Sequence, residues 1–143
     1  MTASLASLTG CAPAMLAGLD SLRCSGPDCR LVAYCDLEAR LVLRHAAVPE
    51  VRQELLDQLS AEAEDAFALR HHAARLLPPA LMGQPADVEE IRLIDDRGTR
   101  LFLRNPALPQ DALILLCASP AGAETLLPAA RRFLLGAIPT GLS

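Results

Sequence analysis

The chain reads as an α+β domain, a five-stranded, mostly antiparallel sheet sandwiched by three helices. Three observations predict this. Periodicity along the chain runs helix, hairpin, long helix, hairpin, strand, helix. Two strand segments, 29–35 and 113–118, are apolar on both faces, which places them as neighbours at a covered sheet centre. The segment Asp95-Asp96-Arg97-Gly98-Thr99 fits a type I turn followed by a left-handed residue at Gly98, a conformation only glycine adopts cheaply. A sheet with helices on both faces is an α+β sandwich.

Each element has its own warrant. Pro13 suits a helix's first turn, and Met15, Leu16, Leu19 and Leu22 follow at helical spacing until Ser25-Gly26-Pro27. Cys29 to Cys35 is the first strand. Asp36 to Arg40 turns the chain, and Leu41 to His45 returns. If this turn is like the later one, Ala39 takes the left-handed position at a cost of about 1 kcal/mol. Pro49 to Leu77 is the longest helical pattern. Val51, Leu55, Leu59, Ala63, Ala66, Phe67, Ala73, Ala74 and Leu77 form its apolar stripe, with Ser60 as a break or cap within it. Pro78-Pro79 ends it. The second hairpin spans 89–104. In the register expected from the turn, Leu93 faces Leu101 and Ile91 faces Leu103, giving one apolar face. The other face carries Arg92, Ile94, Arg100, Phe102 and Arg104. After the 113–118 strand, Ser119-Pro120-Ala121-Gly122 is a break and 124–138 a closing helix, which Pro128 starts or kinks. Residues 1–143 form a single domain with a core over about 9–138.

Composition removes several chemistries. All thirteen basic residues are Arg. With no Lys and no Gly-rich loop, there is no phosphate loop of the common kind and no Schiff-base lysine. The net charge of −4 disfavours nucleic acid, and aromatics at 3% leave little for base stacking. No stretch reaches the roughly 20 apolar residues of a membrane span. Leu8-Thr9-Gly10-Cys11 looks like a lipoprotein cleavage box. However, the first basic residue is Arg23, and polar residues interrupt the run before the box. A cytoplasmic location is expected.

Candidate constellations resolve mainly to structure. His71 and His72, with His45, are the only His grouping; neighbouring helical residues point about 100° apart and do not share a metal. No metal site and no cofactor are expected. Asp95 and Asp96 suit a turn, and Glu89 and Glu90 charge a sheet edge, so neither pair reads as acid/base machinery. Ser119 lacks a G-x-S-x-G elbow, and Pro120 removes a backbone N–H that an oxyanion hole would use. The five Cys (11, 24, 29, 35 and 117) contain no C-x-x-C pair and read as buried, reduced thiols. No catalytic residue is expected, and the chain reads as a non-enzyme. The least bland surface is Arg92, Arg100, Phe102 and Arg104, a partner-binding candidate because Arg and aromatics are enriched at contacts. In that register Arg92 opposes Phe102 as a stacked pair. The outer side of the long helix is a second candidate surface.

The element order at this length resembles the roadblock (dynein light chain) family, which has a profilin-like fold. The resemblance covers roughly residues 9–138. It rests on Leu19-x-x-Leu22 before a Gly-Pro turn and on Leu31-Val32-Ala33-Tyr34-Cys35-Asp36 leading into Leu41-Val42-Leu43. It continues through the 50–77 helix, the Asp95–Gly98 turn and the 113–118 strand. Ala39, where the family commonly has Gly, and Pro128 depart from the pattern. The resemblance implies a homodimer joined through the edge strand, with Glu90, Ile91, Arg92, Leu93 and Ile94 at the interface and the long helices side by side. It implies a regulatory partner of small Ras-like GTPases that contributes a platform rather than catalytic side chains. It also implies that Cys29 approaches Cys117. Two other readings stay open: a secretion-type or client-binding chaperone, and a thiol-based sensor or small enzyme acting through Cys29 and Cys117.

Overall fold

The computed structural model describes the backbone of residues 2–81 and 88–142, and the side chains of 14–78, 80–81 and 88–136. The elements are α1 (Thr2–Ser25), β1 (Cys29–Asp36), β2 (Leu41–Ala47), α2 (Gln53–Leu76), a 3-10 turn (Pro79–Leu81), β3 (Glu89–Asp95), β4 (Gly98–Arg104), β5 (Asp111–Cys117) and α3 (Pro120–Leu142). The five strands form one sheet in the order β2-β1-β5-β4-β3, each pair antiparallel.

The expected centre is borne out. β1 and β5 are antiparallel neighbours in the middle of the sheet, with Val32 opposite Leu115, Ala33 opposite Ile114 and Cys29 opposite Cys117. Their continuous apolar runs supply both faces. Val32, Tyr34, Leu113 and Leu115 pack with α1 and α3 residues Leu19, Leu22, Leu126 and Leu127. Leu31, Ala33, Ile114 and Leu116 pack with Leu56, Leu59, Ala63 and Phe67 of α2. Both faces are therefore dry, as a helix-covered sheet requires.

The second hairpin differs from expectation by one residue. Asp95 pairs with Gly98, so Asp96 and Arg97 alone connect the strands, and Ile91 faces Phe102 while Leu93 faces Arg100. The Asp95 carboxylate accepts the Arg97 N–H at 2.9 Å and so holds the shorter turn. Gly98 has the expected positive φ, +124°. A Cβ there would also lie 2.7 Å from the Cys117 carbonyl oxygen, so two constraints meet at this glycine. A one-residue slip exchanges faces. Ile91 and Leu93 lie with Phe102 on the α2 side, whereas Leu101 and Leu103 face α1 and α3. Hence neither face carries the set of side chains read from the sequence.

Other local differences have plain causes. Arg40, not Ala39, takes the left-handed position (φ 55°). The Asp36 carboxylate accepts the N–H groups of Glu38 and Ala39, which moves the left-handed step one residue on. Arg40 is held there by Glu64 and Asp65 of α2. Ser60 neither breaks nor caps α2. It is buried within the helix, its hydroxyl 3.1 Å from the Arg40 carbonyl oxygen and 3.0 Å from that of Asp57. The closing helix begins at Pro120, because Ser119 caps it by accepting the Gly122 N–H at 3.1 Å. It continues through Pro128, whose position is exposed.

Candidate protein-binding surface

β3 is an edge strand with one neighbour, β4. Its side chains alternate between the two layers. Ile91 and Leu93 are half-buried against the α2 layer, while Arg92 and Ile94 point to the α3 side and are exposed, Ile94 by 61%. The charged residues at this edge are tied to the helices. Glu90 bonds Arg131 of α3, and Arg92 lies 2.7 Å from Glu124. Arg70 of α2 donates to the backbone carbonyl of Glu90, which therefore points away from β4.

Beside that edge, α2 carries exposed apolar side chains. Its buried residues are Leu56, Leu59, Ser60, Ala63 and Phe67. Beyond Phe67 the expected stripe is not covered, and Leu69, Leu76 and Leu77 are 69%, 74% and 49% exposed. Leu69, Ala73 and Leu76 share one helix face by their spacing. Leu69 and Leu76 lie outside the expected stripe, and their seven-residue spacing is the sequence signal of a second one.

The four residues read as one partner-binding face do not share a face. Arg92 lies on the α3 side, and Arg100, Phe102 and Arg104 on the α2 side. Phe102 is wholly buried. Arg100 is 5% exposed and pairs with Asp95 at 2.7 Å and Glu62 at 2.9 Å. The hydrogen bond from Arg100, with the Arg97 N–H second, holds the Asp95 carboxyl below its usual range; the same Asp95 bond raises Arg100. Arg104 pairs with Glu89 at 2.9 Å. An Arg–aromatic stack does exist, but it is Arg104 over Phe67, 4.4 Å from the ring centre, and not Arg92 on Phe102.

A groove of about 500 Å³ lies between α2 and the strand ends, floored by Leu37 and Phe67 and edged by Glu38, Glu64, His71 and Arg104. Among the described residues, no three His, Cys, Asp or Glu side chains come together as metal ligands. Among the described residues, no helix is long and apolar enough to cross a membrane. Cys24, Cys29, Cys35 and Cys117 are free thiols; Cys11 lies outside the described side chains. Burial, with Asp111 and Asp36 adding to it, pushes the Cys35 thiol up to about 12.

No protein-family model matches the chain, and no curated protein sequence does. Solved structures do match. The roadblock/LC7 domain from Streptomyces avermitilis superposes with a TM-score of 0.67 at 16% identity, over 90% of this chain and 98% of that one. The fold is that of a roadblock domain. An MglB structure described as having a tetrameric arrangement matches at a TM-score of 0.59 and 17% identity, over 88% and 91% of the two chains. The gliding protein MglB from Thermus thermophilus matches at 0.57 and 18%, over 85% and 89%. At these identities the roadblock likeness is a likeness of fold.

Proposed function

We propose that this chain is a non-catalytic, homodimeric protein-binding module whose partner is a small Ras-like GTPase. The observation that carries the reading is the pairing of an open β3 edge with an uncovered apolar α2 surface, linked by the Arg70–Glu90 bond. An open edge offers N–H and C=O groups to another strand, and an adjacent apolar stripe supplies the burial that edge pairing alone lacks. Glu90, Ile91, Arg92, Leu93 and Ile94 form the strand contact, and Leu69, Leu76 and Leu77 the helix contact. That one roadblock-fold neighbour is described as tetrameric supports self-assembly of such surfaces.

The GTPase rests on the roadblock resemblance. The charge pattern is compatible with a nucleotide-binding partner rather than a nucleotide-binding chain, since this protein has no Lys and no phosphate loop. Arg92 is exposed and stays with the proposed partner surface; Phe102, Arg100 and Arg104 lie on the opposite sheet face and act by fixing the hairpin. A cytoplasmic setting fits the free thiols. The test is an affinity pull-down from native cell lysate, with and without a non-hydrolysable GTP analogue. Nucleotide-dependent recovery of a small GTPase is expected. Recovery of a single unrelated client that needs this protein for solubility would overturn the GTPase reading in favour of a chaperone.

A further inference from the structure

Cys29 and Cys117 face each other directly across the β1–β5 ladder. Opposed residues in an antiparallel pair have Cα atoms about 4.5–5.5 Å apart. A disulfide needs about 4.4–6.8 Å, a range that directly opposed strand residues meet. Both thiols are free, and the Cys29 thiol donates to the Leu31 carbonyl oxygen at 3.6 Å. The pair sits at the end of the ladder, where the register shifts between Cys29 and Leu31. A bulge gives Cys29 local freedom that a mid-strand residue lacks.

We propose that Cys29 and Cys117 form a dithiol/disulfide site that a peroxide oxidises to an intramolecular bond stapling β1 to β5. The two sulfurs have different roles. The neighbouring Cys117 thiol, with the Arg23 guanidinium as a lesser cause, holds the Cys29 thiol below its ordinary value, and Cys29 together with burial pushes Cys117 up. Cys29 is therefore the attacking sulfur and Cys117 the resolving one. The Cys29 thiolate attacks one peroxide oxygen, the O–O bond breaks, and hydroxide leaves with the proton that Cys29 lost, as water. Cys29 is then a sulfenic acid. The Cys117 sulfur attacks the Cys29 sulfur, the S–O bond breaks, and the hydroxyl leaves with the Cys117 proton as a second water. Both sulfurs are oxidised and the peroxide is reduced.

Neither of the other described cysteines substitutes. Cys35 lies on the opposite face, with Val42 and Ala112 as its cross-strand partners. Cys24 is exposed on α1, outside the ladder. Both residues are buried, 5% and 1% exposed, so bulky disulfides are excluded and a small peroxide reaches the pair through local opening at the ladder end. This inference does not depend on the dimer or the GTPase.

The test treats the full reduced chain with hydrogen peroxide, alkylates the remaining thiols and weighs the intact protein. Expected is a monomer that has lost two hydrogens and has two fewer alkylatable thiols, reversed by reductant. Because Cys24 and Cys29 share the segment between Arg23 and Arg30, peptide mapping is done on Cys24→Ser. There the 29–117 link persists. In Cys117→Ser, a sulfenic acid accumulates on Cys29 and is captured by a 1,3-dione reagent; if that variant does not fold, the map of Cys24→Ser decides. Full alkylation after peroxide, loss of the bond in Cys24→Ser, or bonds only between chains would each overturn the proposal.

Discussion

Replacing Phe102 by Ala separates a core residue from a contact residue. Phe102 is wholly buried on the α2 side of β4, opposite Ile91 on β3 and Ile114 on β5. Removing a buried phenyl ring costs about 3–5 kcal/mol, part lost transfer energy and part cavity. Unfolding entropy near about 2.1 cal/mol/K per residue gives a chain of this length about 0.3 kcal/mol/K. The melting temperature should therefore fall by roughly 10–17 °C. The matched control is Leu41→Ala on the far edge strand, β2. Its side chain is already 50% exposed, so its cost should stay within about 1 kcal/mol. Both are measured by thermal and urea unfolding at one fixed protein concentration, because self-association adds to apparent stability. An unchanged melting temperature in Phe102→Ala, together with lost partner binding, would refute the burial argument and restore the surface reading.

Three further outcomes follow from other positions. Gly122→Ala should destabilise by about 1–3 kcal/mol, since an added Cβ would lie 1.8 Å from the Asp28 carboxylate. The penalty should shrink when Asp28 is also Ala, and equal costs in both backgrounds, measured by urea unfolding, would count against the clash. Asp95 has a depressed folded-state pKa, with the Arg100 hydrogen bond as the main cause. Its contribution is thus present above the unfolded carboxyl value of about 3.9 and disappears as pH falls through the lower folded value. Asp95→Asn should flatten the acid limb of the stability–pH curve below about pH 4, and an unaltered limb would remove Asp95 from the account. Arg70→Ala frees the Glu90 carbonyl, so sedimentation equilibrium should find tighter self-association with little change in fold stability; weaker association would mean Arg70 is part of the contact.

Much of the architecture was legible because burial leaves strong traces. The runs 31–35 and 113–117 have no polar face, so they had to be central, and they are. The Asp-Asp-Arg-Gly turn marked the second hairpin. The one-residue register was not legible, because Leu101, Phe102 and Leu103 are apolar towards both faces and contain no alternation to choose between them. The decision fell to the Asp95 carboxylate shortening the turn. Arg100 looked like a surface residue because a lone Arg on a strand usually is. Its burial depends on Glu62, 38 positions earlier on another element, which only the fold brings near. Ser119 looked like a loop residue for the same reason; its bond to Asp28 at 2.6 Å spans 91 positions of the chain.

The open β3 edge and the exposed end of α2 are proposed to act as one self-association surface. Light scattering at micromolar concentration tests it most directly, on the native chain and on Leu76→Glu. Twice the 15.2 kDa chain mass is expected for the native protein, and a single chain mass for the variant. The variant's melting curve should remain cooperative, because Leu76 is 74% exposed. A native protein that scatters as a single chain would contradict the claim.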